Sequence, residues 1–229
     1  METPKPNPVP MLDIGLVFIA TFFVFLFVSA ASLYTLGEEP TLIIGELLIL
    51  AVPLGYLLLK RIDIKNYVKI DLKPKFILIG LGCGALLLLL NIAVSNILTA
   101  IFGVSQAVEQ SNSLLTNLST SPTGFTAVVA SLALAGICEE FFFRGFLQNS
   151  IFRTLKTSKT PKYAFAVAVV ISAAIFGLFH FDTQFVYTLA AFTTGLALGY
   201  IYHRWNYTTS ATAHASMNLI VLALLLLGV

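Results

Sequence analysis

Glu139 and Glu140 stand side by side in SLALAGICEEFFFRGFLQNSIF, an apolar stretch with Arg144 one helical turn after Glu140. Two further polar sets follow. His180 closes the run IFGLFHF one turn after Phe176, and His214 and Asn218 lie four apart in SATAHASMNL. A free carboxylate, two imidazoles and a carboxamide suit the activation of water. The acid suits a general base, and the amide suits either orienting a water or donating to a developing oxyanion. A carboxylate near a bilayer centre costs about 3 kcal/mol on insertion scales. It persists there when it is paired or lines a wet cavity.

Helical spacing divides the labour. Residues four apart share a face, whereas neighbours point about 100° apart. Glu140 and Arg144 therefore form an ion pair in the favourable order, acid first. Glu139 points elsewhere and is left to face a cavity. His214 and Asn218 share one face. Each group also has a plainer role. A lone intramembrane His or Asn serves as an interhelical hydrogen-bonding residue, worth about 0.6 kcal/mol. Glu140–Arg144 can be structural pairing, and His180 beside Asp182 can be an interfacial residue. Glu139 is the one with no local partner on its own face.

The elements that must position these groups are membrane helices. Of 229 residues, 58% are hydrophobic and only 10% charged, against about 25% charged in a soluble domain. Apolar runs fall at 12–34, 41–59, 76–102, 123–152, 163–181, 184–203 and 209–227. A span needs about 20 apolar residues, so the expected fold is all-α, a polytopic transmembrane bundle of about seven spans. Three regions are expected: a disordered tail over 1–11, amino-terminal transmembrane helices over 12–122 and a catalytic helical core over 123–229. Gly80 and Gly84, and Gly195 and Gly199, are spaced for close helix packing.

Charge gives the topology. Lys60, Arg61, Lys65, Lys69, Lys73 and Lys75 cluster after the second run, Arg153, Lys156, Lys159 and Lys162 after the fourth, and His203 and Arg204 after the sixth. The stretch 103–122 has neither lysine nor arginine. The positive-inside rule puts the basic loops and the amino terminus in the cytoplasm, the setting of a multi-pass protein of the plasma (inner) membrane. The segment RIDIKNYVKIDLKPK reads either as an inner-leaflet element or as a solvated loop. Nothing suggests a nucleic-acid partner: no basic patch carries interleaved aromatics. Membrane lipid is the evident surrounding.

The ordered set Glu139-Glu140-x-x-x-Arg144, Phe176-x-x-x-His180 and His214-x-x-x-Asn218 resembles the CPBP, or Abi, family. That family includes the type II CAAX prenyl proteases and bacteriocin-processing or immunity proteins. The resemblance spans roughly 120–229. It implies an intramembrane endopeptidase acting on a membrane-associated peptide or a prenylated protein tail. Carried over by position, Glu139 is the general base, His180 helps hold the water, and His214 and Asn218 complete the site and stabilise the oxyanion. Glu140, Arg144 and Phe176 support them. The resemblance leans to metal-free glutamate chemistry. A metalloprotease with Zn²⁺ on Glu139, His180 and His214 is the alternative, although the HExxH helix is missing. The other functional class is a non-catalytic scaffold or immunity protein on the same fold. A transporter would also hold acids at the midplane, but it usually shows repeated halves.

One conflict stands out. Glu139 lies about 21 Å, counted along the helix, from the basic loop at Arg153, whereas His180 lies about 27 Å beyond Lys162. Their helices must have offset ends, or one must tilt, for the two to meet.

Overall fold

A computed structural model describes residues 8–158 and 161–228. Most of the proline-rich start, and Lys159, lie outside the described residues. The described chain is helical throughout, with no strand. The helices are α1 (Met11–Leu36), α2 (Glu38–Leu59), the short α3 (Ile64–Val68), α4 (Pro74–Phe102), α5 (Gln106–Leu118), α6 (Pro122–Glu140), α7 (Asn149–Lys156), α8 (Ala164–Phe179), α9 (Val186–Arg204) and α10 (Tyr207–Leu227). A π-helical segment, Phe141–Gln148, joins α6 to α7 without a break.

Six of these helical stretches are long and apolar enough to cross a membrane, among them the continuous Pro122–Lys156. The chain is thus a polytopic α-helical integral membrane protein. The run expected at 184–203 forms α9, which is not among the six. Its tyrosines and threonines lower its hydropathy, and it is sheltered by packing against α8, α4 and α10. Sheltered polar residues are tolerated where neighbouring helices satisfy them.

Gly37 makes the first hairpin. Its φ of +87° suits glycine, and its N–H returns to Leu33 O to end α1, so α2 folds back on α1. Gly80 and Gly84 seat α4 against α10, where a Cβ on Gly80 would lie 2.6 Å from Thr212 Cβ. Gly136 does the same for α6: a Cβ there would lie 2.6 Å from Ala215 Cα. This contact fixes the site, because Gly136 is one turn before Glu139 and Ala215 follows His214.

The segment after α2 is not a free loop; it packs onto the bundle through α3. Tyr67 and Val68 are buried. Asn149 Nδ2 donates to Tyr67 O at 2.7 Å, and Tyr207 N donates to Lys69 O. Arg153 lies over the Tyr67 ring and Lys69 over the Tyr202 ring, at 4.9 Å each. The basic loops therefore gather at one end of the bundle.

The depth conflict resolves through helix length. Glu139 sits in the middle of a 35-residue helical stretch, far longer than the ~30 Å hydrocarbon core requires. From Glu139 to the end of α7 at Lys156 the rise is about 25 Å, and α8 rises about 24 Å over its 16 residues. The Glu139 helix runs past Arg153, so its acid and the end of α8 reach one depth.

Candidate functional site

Four elements converge: the junction of α6 with the π-helical segment, the end of α8, the first half of α9, and α10. The π geometry begins directly after Glu140, and all eight of its residues are buried. Asn149 N–H bonds to Arg144 O, five residues back. Such widened turns occur often at functional sites.

Glu140 and Arg144 have fully buried side chains, with Arg144 Nη1 2.9 Å from Glu140 Oε1. The contact is an ion pair without hydrogen-bond alignment, since Nη1 has no hydrogen-bond partner among the described residues. Arg144 Nη2 donates to Gly195 O at 3.2 Å, and the guanidinium lies 4.5 Å from the Phe176 ring centroid. The same Glu140 Oε1 lies 3.2 Å from His214 Nδ1. A carboxylate accepts, so Nδ1–H donates. The other ring nitrogen, Nε2, lies 3.9 Å from Glu139 Oε2. His214 thus spans the two acids, while Glu139 remains 12% exposed.

His180 caps α8. Its Nδ1 is 2.9 Å from Phe176 O. A carbonyl only accepts, so Nδ1–H donates and Nε2 is the ring nitrogen not used in this bond. The ring packs against Phe176, 4.6 Å between centroids, and Tyr187, 5.1 Å. Phe176 also meets the His214 ring at 5.8 Å. It is the wall between the two imidazoles and the plate under Arg144. His180 makes no ion pair with either glutamate among the described residues; it joins the cluster through Phe176 and Tyr187.

The loop after His180 holds it in place. Thr188 Oγ1 donates toward Asp182 Oδ1 at 3.0 Å and His180 O at 3.3 Å, and Thr188 N donates to Asp182 Oδ1 at 3.0 Å. Burial raises the Asp182 carboxyl, but these bonds, with others from Ser105 and the Tyr187 backbone, hold it below the usual carboxylate range.

Asn218 sits one turn beyond His214 and donates to Leu132 O at 3.4 Å, which ties α10 to α6. With Tyr187 it borders a cavity of about 300 Å³ between α4, α5, α9 and α10. The cavity runs from Asn218 toward the α4–α5 turn at Val104 and Ser105, the end away from the basic loops.

The structure therefore brings Glu139, Glu140, Arg144, Phe176 and His214 into direct contact and sets His180 and Asn218 at the borders. Among the described residues no three His, Cys, Asp or Glu side chains group as a metal ligand set.

Two neighbours went unread in the sequence. Tyr187 touches His180 and lines the cavity. Glu46 of α2 lies near enough to Glu139 to interact with it electrostatically, and its buried Oε2 has no hydrogen-bond partner among the described residues. The signal for Glu46 was available: it too is a carboxylate in the middle of an apolar span.

Residues 121–220 match the family model described as type II CAAX prenyl endopeptidase Rce1-like. The match covers every residue of the three motifs, and the relation to the CPBP/CAAX protease family holds over this part of the chain. No curated protein and no solved structure matches.

Proposed function

From this relation to a family of membrane proteases, we propose that the chain is an intramembrane endopeptidase in which Glu139 activates water. The helical core over 123–229 carries the chemistry. One observation supports this reading most: Arg144, Glu140 and His214 form a buried chain whose free end, His214 Nε2, points at Glu139. A charged group held by a second acid is oriented before any substrate arrives.

The steps follow from the groups present. The Glu139 carboxylate takes one proton from a water whose other hydrogen bonds to His180 Nε2. The resulting hydroxide oxygen bonds to the scissile carbonyl carbon. The carbonyl oxygen becomes an oxyanion and accepts from the second Nδ2–H of Asn218 and from Nε2–H of doubly protonated His214. Glu139 then gives its proton to the leaving nitrogen, the C–N bond breaks, and the new carboxylic acid passes its remaining proton to the amine, so that a carboxylate and an ammonium leave. The substrate is a membrane-associated peptide or lipidated protein segment. The basic end of the bundle faces the cytoplasm.

The test uses the full chain in vesicles. Glu139→Gln is expected to lower peptide cleavage by about 10²–10⁴-fold with unchanged thermal stability, and cleavage by the parent protein is expected to survive exhaustive chelation. Cleavage by Glu139→Gln at the parent rate sinks the glutamate mechanism. Loss on chelation with recovery on adding Zn²⁺ replaces it with a metal one.

A further inference from the structure

The cavity beside Asn218 has an ordered polar wall that the reaction above does not use. Asn91, Ser95 and Thr99 line it. They are four apart on α4 and so stack on one face at intervals of about 6 Å. Elsewhere in this protein, helical hydroxyls turn inward. Those of Thr21, Thr35, Thr126 and Thr193 each bond the carbonyl four residues back, the ordinary local option for such residues. Among the described residues, the Ser95 and Thr99 hydroxyls have no hydrogen-bond partner. Asn91 donates only to Thr194 Oγ1, at a long 3.4 Å.

The other walls differ. Across the cavity, α10 presents Met217 and Leu222, and α5 closes one side with Asn112. Among the described residues, no charged side chain lines the space. It is a slot with a ladder of neutral hydrogen-bonding groups on one side and apolar surface opposite, ending at Asn218.

We infer that this slot binds an extended, uncharged peptide segment and leads it to the reacting groups. The inference rests on the peptidase reading and adds its substrate class. An extended chain repeats its backbone donors and acceptors along one edge every two residues, about 6.6 Å, close to the spacing of the ladder. Main-chain bonding along an exposed edge, with alternate side chains in pockets, is how extended peptides are recognised elsewhere. Other occupants fit less well. A lipid chain would bury the ladder hydroxyls unsatisfied. A helical segment satisfies its own backbone and has no use for them. A chain end with a free carboxylate would meet no cation.

The experiment measures binding of an end-blocked, fluorescently labelled Val-Ser-Val-Ser-Val-Ser peptide to the full chain in phosphatidylcholine vesicles. Glu139→Gln protein serves as the host, so that nothing is cleaved. The peptide is expected to bind, and the Ser95→Ala/Thr99→Val pair to weaken it by about tenfold, the worth of two neutral hydrogen bonds. A central Ser-to-Lys change in the peptide is expected to weaken it at least as much. Thermal unfolding of the double variant checks its fold, and Asn112→Leu, on α5 at the side of the slot, is expected to weaken binding independently. No binding of the neutral peptide, equal binding by the folded double variant, or indifference to the lysine overturns the inference. A failed peptidase reading appears separately, as unimpaired cleavage by Glu139→Gln or none by the parent protein.

Discussion

His214 lies between the two adjacent glutamates, with Nδ1 3.2 Å from Glu140 Oε1 and Nε2 3.9 Å from Glu139 Oε2. Glu140 orients the ring, and Glu139 lies at its other nitrogen. Neighbouring positions on one helix point apart, so a third group on another helix is needed to join them.

The Arg144–Glu140 pair should show different effects on stability and activity. Removing one partner of a fully buried pair strands the other charge, at a cost of about 3–5 kcal/mol. Arg144→Leu is therefore expected to lower the melting temperature sharply. Replacing both, Glu140→Leu with Arg144→Leu, is expected to recover most stability because neither charge is left buried. It should not recover cleavage, because His214 loses the acceptor for Nδ1–H. Thermal unfolding in detergent and peptide release measure the two effects, and full activity in the double variant would remove Glu140 from the mechanism.

Gly136 predicts a packing effect. A Cβ there meets Ala215 Cα at 2.6 Å, whereas one at Gly15 meets nothing within 4 Å. Gly136→Ala is expected to cost about 1–3 kcal/mol, the usual range for overpacking. It should also slow cleavage, since it pushes Glu139 from His214. Gly15→Ala, inside α1, is the control and should leave both unchanged. Equal behaviour of the two variants would mean that α6 and α10 are free to separate.

Much of this arrangement was legible in the sequence, for a physical reason. Polar groups in hydrocarbon are costly, so those kept in apolar runs stand out: Glu139, Glu140, Arg144 and His214 were all marked by residue type and spacing. The hidden part depends on packing. The 3.6-residue period gave Glu140 to Arg144 alone, but the bond to His214 crosses 74 positions and requires the close approach at Gly136. The extension of α7 past Arg153 was hidden because a helix leaving the membrane becomes polar without unwinding. Glu46 was passed over because α2 carries no motif, and the α4 ladder because serine and threonine in a membrane helix usually bond their own backbone.

His180 predicts which ring nitrogen matters. Its Nδ1–H is committed to Phe176 O at 2.9 Å, so the proposed work falls to Nε2. Glutamine reaches the Nε2 position with its terminal amide, whereas asparagine reaches only as far as Nδ1. His180→Gln is expected to keep a measurable fraction of the cleavage rate and His180→Asn to lose about 10²-fold or more, in the range of a lost positioning group. Steady-state rates at matched stability decide it. The reverse order would assign the role to Nδ1 and contradict the proposed water contact.

Asp182 sets an acid limit on the fold. Burial raises its carboxyl, but bonds from the Thr188 backbone, Ser105, the Tyr187 backbone and the Thr188 hydroxyl leave it below the ordinary value of 3.8. A carboxyl lower in the folded state than in the unfolded state stabilises the fold fully above the unfolded pKa. That contribution is lost as pH falls through the folded pKa. The affected window therefore lies below about pH 4, with no effect at neutral pH. The same bonds fix the loop after His180 and join it to the α4–α5 turn through Ser105. Asp182→Asn is expected to lower stability at pH 7 and to flatten its acid dependence, since the variant has no proton to gain there. Melting temperatures from pH 3 to pH 7 measure this, and an unchanged acid slope in Asp182→Asn would place the acid sensitivity elsewhere in the bundle.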